Sequence, residues 1–176
     1  MTKTFEPSSS VSKKSHIKSK DDYNKNYKKS IEDPVKFWDE KMLEVLFVCV
    51  HNAGRSQMAS EIFNSIAERQ GLNLHAESGG TKPADRIHPG VRIIMENNGH
   101  DITDLTPKMV DEDIVKSADM VITMGCGVDS AECPSIVYAD VQDWGIVDPV
   151  DKNLDETQYI YDEIFKKVTK LINDLA

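Results

Sequence analysis

Cys49 ends an apolar run and opens Cys49-Val50-His51-Asn52-Ala53-Gly54-Arg55-Ser56, a cysteine and five residues before Arg-Ser. This spacing can set backbone N–H groups and a guanidinium around a sulfur nucleophile, an arrangement suited to a tetrahedral oxyanion. Two more thiols, Cys126 and Cys133, lie in Gly125-Cys126-Gly127-Val128-Asp129-Ser130-Ala131-Glu132-Cys133-Pro134. A nucleophile with further thiols points to oxyanion chemistry coupled to disulfide formation. Asp148-Pro149 follows Asp143-Trp144-Gly145-Ile146-Val147 and offers a carboxyl, although an Asp-Pro pair alone reads as a turn.

The surrounding elements must bring these groups together. Val45, Leu46, Phe47, Val48 and Val50 make Glu44 to Val50 a buried strand. From Arg55, apolar residues at Ala59, Ile62, Phe63, Ile66 and Ala67 follow a helical period. Val50, His51, Asn52, Ala53, Gly54, Arg55 and Ser56 therefore wrap a helix N-terminus, with Gly54 freeing the bend and Arg55 able to grip two anion oxygens. Arg55, the loop amides and the Ser56 hydroxyl favour a Cys49 thiolate. The Asn52 side chain is expected to tie the loop together.

Further along, Leu74 to Ser78 reads as a strand with Gly79-Gly80 as its turn, and Val91 to Asn98 as a helix after His88-Pro89. Val110 to Ser117 reads as a helix after Thr106-Pro107, Met120 to Met124 and Ser135 to Ala139 as strands, and Asp155 to Leu175 as an amphipathic closing helix. Strands alternating with helices imply an α/β fold with a four-stranded parallel sheet covered on both faces. Ligands in such sheets bind beyond the carboxyl ends of the strands. Cys49, Cys126 and Asp148 follow the first, third and fourth strands and should meet at that edge. His16, His51, His75, His88 and His100 read as packing or surface residues, and Asp101 and Asp104 as solvated or capping.

The Cys126–Cys133 pair admits three readings: redox thiols, inert thiols, or a zinc site, which would want closer Cys/His spacing. On a straight helix the two Cα atoms would lie about 10.5 Å apart, whereas a disulfide needs about 4.4–6.8 Å. A bond between them requires residues 126–133 to bend or unwind, with Gly125 and Gly127 easing the motion.

Phe47-Val48-Cys49 through Arg55-Ser56-Gln57-Met58-Ala59 resembles the phosphate-binding loop of the low-molecular-weight tyrosine phosphatase superfamily. The Arg-Ser-Gln-Met-Ala ending resembles its arsenate reductase branch. Trp144-Gly145-Ile146-Val147-Asp148-Pro149 and the Glu132-Cys133-Pro134 ending are similar to thioredoxin-coupled members of that branch. The resemblance runs from about Val45 to the C-terminus. It implies a single phosphatase-like domain that reduces arsenate to arsenite. In that scheme Cys49 attacks arsenate, Asp148 protonates the leaving oxygen, Cys126 resolves the adduct, and Cys133 carries the disulfide outward. It further implies reduced thioredoxin as electron donor, no bound cofactor, no metal, and phosphate or sulfate as competing oxyanions. Ser60 stands where potassium-binding relatives have a glutamate, and Gly54 replaces a second loop cysteine found in many relatives. The alternative is a phosphotyrosine or phosphoester phosphatase using Cys49, Arg55 and Asp148. Val150-Asp151-Lys152 lacks the aromatic residue that phosphatases place after the Asp-Pro, which disfavours that reading. A non-enzymatic oxyanion or redox sensor is a third reading, disfavoured by the presence of an acid at Asp148.

A length of 176 residues suits one domain with a tail. The first thirty residues hold eight lysines and three acids, a surplus of five positive charges; the whole chain is −9, leaving −14 on the rest. Residues 1–32 read as a disordered Lys-rich tail, 33–43 as a short helical lead-in with a helix over Val35 to Lys41, and 44–176 as the catalytic domain. No targeting signal or membrane-spanning run is visible, so no membrane partner is expected and the cytoplasm is the expected compartment. Thiols there are more often reactive than structural. Nucleic acid is not an expected partner.

Overall fold

The structure, a computed structural model, describes residues 19–34, 42–125 and 141–176. The elements run α1 (Lys20–Glu32), β1 (Leu43–Cys49), α2 (Arg55–Gln70), β2 (Leu74–Gly80), α3 (Pro89–Asn97), α4 (Glu112–Ser117), β3 (Met120–Thr123), β4 (Val141–Asp143) and α5 (Leu154–Leu175). The chain divides into two units, Met1–Lys41 and Met42–Ala176.

Within the second unit, β1 carries the core. Its residues from Val45 to Cys49 are all buried, and alternation along the strand splits them between two layers. Val45, Phe47 and Cys49 pack with α2, α3 and α5 through Met58, Ile62, Phe63, Ile94, Met95, Ile160 and Ile164. Leu46 and Val48 face the opposite layer, with Val115 of α4 and Val121. The rings of Phe63 and Trp144 meet Phe47 edge-on at centroid distances of 6.1 and 5.4 Å, a favoured aromatic geometry. Residue Asn153 and Glu156 form a reciprocal capping box that starts α5.

The sheet order is β2-β1-β3-β4, and each pairing is parallel, as expected for this α/β domain. Register brings the carboxyl ends level: Cys49 pairs with Gly80, Val48 with Thr123, and Thr123 with Asp143. The chain leaves β1 first toward β2 on one side and reaches β3 on the other. This reversal opens a crevice at the end of β1.

Several sequence expectations are corrected. Gly79 and Gly80 are strand residues rather than a turn, and the reason is close packing: a Cβ on Gly80 would lie 2.7 Å from the Val50 carbonyl oxygen. The helix expected from Val110 begins at Glu112, because Asp111 caps it by accepting from the N–H groups of Asp113 and Ile114. Val110 instead donates its N–H to the Gly80 carbonyl. The described fourth strand is Val141–Asp143, while the expected strand over 135–139 lies outside the described residues. In the first unit, Lys20–Glu32 is helical where a disordered tail was expected. Local signals outweigh the low apolar content there: Ser19 caps the helix, Asp21 and Asp22 sit in its first turn, Tyr23 and Tyr27 stack, and Lys28 pairs with Glu32. Residues 1–18 and the expected helix over Val35 to Lys41 lie outside the described residues.

The ends of β3 and β4 are joined by Asp143. Its Oδ1 accepts from the Thr123 hydroxyl and the Gly125 N–H, each at 2.7 Å. Burial pushes this carboxyl up, but the Thr123 hydroxyl and the N–H groups of Gly125, Gly145 and Trp144 outweigh it and hold it below the usual aspartate range. A carboxyl depressed in the folded state adds stability above its unfolded value, and that stability is lost as pH falls through the folded value. Asp143→Asn should therefore flatten the acid limb of a stability–pH curve below about pH 4, read by urea denaturation across that range. Gly80→Ala should destabilise the chain by about 1–3 kcal/mol through overpacking against Val50 and Asn52, read by thermal or urea denaturation.

Candidate active site

The loop from Cys49 to Arg55 is held from outside by the 81–88 segment. Thr81 N–H donates to the Cys49 carbonyl (3.2 Å), Lys82 to Val50 (2.8 Å), Ala84 to His51 (2.9 Å) and His88 to Ala53 (2.8 Å). A trans peptide points its N–H opposite to its C=O. Each carbonyl drawn outward therefore turns the next N–H inward, which orients the amides of Val50, His51, Asn52 and Gly54. The Asn52 N–H shows where they aim, since it reaches Cys49 Sγ at 3.1 Å. Asn52 itself takes a left-handed backbone, φ 47°, a conformation that asparagine tolerates better than most residues.

Side chains complete the ring. Ser56 Oγ lies 2.9 Å from Cys49 Sγ, and Asn52 Nδ2 donates to Ser56 Oγ at 2.8 Å. Asn52 thus ties the loop together as expected. Its Oδ1 accepts from the Lys108 N–H (2.8 Å) and from Gln57 Nε2 (3.0 Å). Cys49 is buried and its thiol is free.

Arg55 is 5% exposed. Its Nη1 donates to the carbonyls of Met124 (2.9 Å) and Ile146 (3.1 Å), and its Nη2 to Asp148 Oδ2 at 2.5 Å. The guanidinium thus joins the loop to the chain leaving β3 and to the turn after β4. Asp148 is half-buried, with its Oδ1 taking the Val150 N–H. Trp144 anchors the start of this turn on Phe47. Gly54 has a role besides bending: a Cβ there would lie 2.8 Å from the Pro149 ring, so the loop and the acid-bearing turn fit against each other.

Cys49, Arg55 and Asp148 share one cleft of about 400 Å³, walled also by His51, His88 and Val150. Arg86 and Pro149 line it as well. Sequence reading missed Arg86 and the lining role of His88, because residues 81–88 carry no periodic signal, and it missed Gln57 because that residue has the spacing of an ordinary helix position. His100 is buried, 2.9 Å from the Tyr161 hydroxyl and 3.5 Å from Glu61, a packing role as expected. Asp101 caps its own turn through Thr103. Cys126 and Cys133 lie outside the described residues, as does the expected bending of residues 126–133; Gly125, the residue before Cys126, follows β3 at the cleft edge of the sheet. Among the described residues, no three His, Cys, Asp or Glu side chains are grouped so as to hold a metal ion, and no helix is long and apolar enough to cross a membrane.

The family model for low molecular weight phosphotyrosine protein phosphatase matches residues 44–176. A Halobacterium salinarum protein assigned as an arsenate reductase is 37% identical over 130 residues, covering 73% of this chain and 89% of the relative. A Synechocystis glutaredoxin arsenate reductase is 30% identical over 137 residues, covering 77% of this chain and 100% of the relative. Among solved structures, a Corynebacterium glutamicum thioredoxin-dependent arsenate reductase aligns with a TM-score of 0.61 and 32% identity, covering 86% of this chain and 70% of that one. The chain belongs to the low molecular weight phosphotyrosine protein phosphatase family and has arsenate reductases among its relatives.

Proposed function

We propose that this chain is an arsenate reductase whose nucleophile is Cys49. The observation that carries the reading is Cys49 Sγ set among inward-turned amides, with Arg55 and Asp148 joined at 2.5 Å in the same cleft. The named relatives supply the reaction class. A tetrahedral oxyanion in the loop would take the amide N–H groups and the guanidinium, which stabilise charge as the sulfur attacks.

The Cys49 thiolate attacks the arsenic of arsenate, and one oxygen leaves as water with a proton from Asp148. A second thiolate, assigned to Cys126, attacks Cys49 Sγ. The electron pair of the arsenic–sulfur bond stays on arsenic, so As(V) becomes As(III), arsenite leaves and a Cys49–Cys126 disulfide forms. Cys133 then attacks Cys126, freeing the Cys49 thiolate and leaving a Cys126–Cys133 disulfide. A thiol reductant reduces that bond; we assign the role to thioredoxin, with no bound cofactor. Each exchange needs an attacking thiolate and a good leaving thiol. Phosphate and sulfate, as tetrahedral oxyanions, should compete for the loop. The cytoplasm, where thiols stay reduced, fits the chemistry. We also divide the chain as 1–32 tail, 33–43 lead-in and 44–176 catalytic domain.

A phosphoester phosphatase activity is the second reading, favoured by the family match and by a cleft larger than a bare oxyanion needs. Against phosphotyrosine as its main substrate, none of the described residues that line the cleft is Phe, Tyr or Trp, so none of them offers such a ring to stack on a phenyl group.

The test couples reduced protein to arsenate, thioredoxin and thioredoxin reductase, and follows cofactor oxidation. Wild type should turn over repeatedly, whereas Cys49→Ser, Cys126→Ser and Cys133→Ser should each stop multiple turnover. Turnover surviving both Cys126→Ser and Cys133→Ser would rule out the relay, and phosphoester hydrolysis without arsenate turnover would favour the phosphatase. Asp148→Asn should lower kcat by roughly 10²–10⁴-fold, the usual worth of a general acid, in the same assay.

A further inference from the structure

We propose that Gln57 is a positioning residue for the Cys49 thiolate, acting through Asn52 and Ser56. The proposal needs Cys49 as nucleophile but does not depend on which oxyanion the loop receives.

Gln57, Asn52 and Ser56 are buried, with Gln57 3% exposed and the other two at 0%. A buried amide must spend its hydrogens on partners, and here the partners set a direction. Gln57 Nε2 donates one hydrogen to the Thr106 carbonyl at 2.9 Å and the other to Asn52 Oδ1 at 3.0 Å. A backbone carbonyl only accepts, so the Gln57 amide cannot be the other way round. Asn52 Oδ1 also accepts the Lys108 N–H at 2.8 Å, and a backbone N–H only donates, so the Asn52 amide is fixed as well. Its Nδ2 is then left to donate to Ser56 Oγ at 2.8 Å. The serine has one hydrogen, and a Cys49 thiolate can only accept, so in that state the hydrogen goes to Cys49 Sγ, 2.9 Å away.

With Cys49 as a thiolate the network runs one way, from Thr106 and Lys108 through two amides and a hydroxyl to the sulfur. With the Asn52 N–H, it gives Sγ two donors, an arrangement that suits a thiolate better than a thiol. Without Gln57, Asn52 Oδ1 would keep Lys108 alone and its amide would lose one of the contacts that aim Nδ2 at Ser56. Cooperative polarisation along the chain would weaken with it. Asn52 and Ser56 touch the nucleophile's own loop, whereas Gln57 points toward the 106–108 segment, so its effect on Cys49 is indirect.

The test measures the pH profile of Cys49 alkylation by iodoacetamide on the full chain, with peptide-resolved mass spectrometry separating Cys49 from Cys126 and Cys133. Gln57→Met keeps length and apolar bulk but removes both donors. Its profile should move up by about one pH unit, a roughly tenfold loss of reactivity at a fixed pH below the midpoint. In a Ser56→Ala background the same substitution should move the profile by less than half as much, because the path to the sulfur is already cut. Gln57→Glu, whose carboxylate offers no hydrogen to the two acceptor oxygens, serves if Gln57→Met does not fold, and should shift the profile at least as far. A Gln57 variant that folds and overlays wild type would overturn the proposal. A shift of full size in the Ser56→Ala background would overturn it too. Neither result would bear on whether arsenate is the substrate.

Discussion

Four carbonyls of one short loop, those of Cys49, Val50, His51 and Ala53, are held outward by N–H groups of the 81–88 segment, and the site depends on that constraint. The planar peptide converts each outward carbonyl into an inward N–H. A ring of inward N–H groups is thus made from the backbone before any side chain takes part. Each such bond contributes only about 0.5–1.5 kcal/mol net. Four on neighbouring peptides nevertheless leave the loop little freedom, and a loop already in shape has less ordering cost when it binds.

The sheet supplies the second constraint. Because β1, β2, β3 and β4 are parallel and end level, groups far apart in sequence arrive at one edge. Two side chains then bridge the gaps between strand ends. Arg55 holds the carbonyls after β3 and before Asp148, and Asp143 gathers N–H groups from Gly125, Trp144 and Gly145. A buried arginine would be costly alone. Here two carbonyls and a carboxylate share its donors, so the same bonds that offset its burial also align the turn that carries Asp148.

The strand, the nucleophile loop and the helix after it could be read from sequence because their signals are local. Apolar order marks β1, the 3.6-residue period marks α2, and the loop between them has a fixed covalent length. Asp148 could be placed because strand alternation predicted which edge it reaches. The 81–88 segment could not be read this way, since its N–H groups bond residues about thirty positions earlier and its own sequence has no period. Gly79 and Gly80 looked like a turn for a similar reason: what makes glycine necessary is the Val50 carbonyl, and Val110 beside Gly79, both distant in sequence. Gln57 has the spacing of an ordinary helix residue. Only its contact with Thr106, on a segment with no regular element, reveals the network it joins. In α1 the error had the opposite cause, as overall composition hid the cap and the side-chain pairs that form within a few residues.

If the cleft takes an oxyanion, as proposed, the contact between Arg55 and Asp148 means that the ion meets a cation already engaged. Binding is then an exchange of one carboxylate for another charge, and its strength is a difference between two ion pairs. On that reading a neutral molecule would have little with which to displace the Asp148 carboxylate, whereas a compact dianion would take the amides and the guanidinium together. Selectivity for such ions is in this sense competitive, set by an occupant that the chain itself provides.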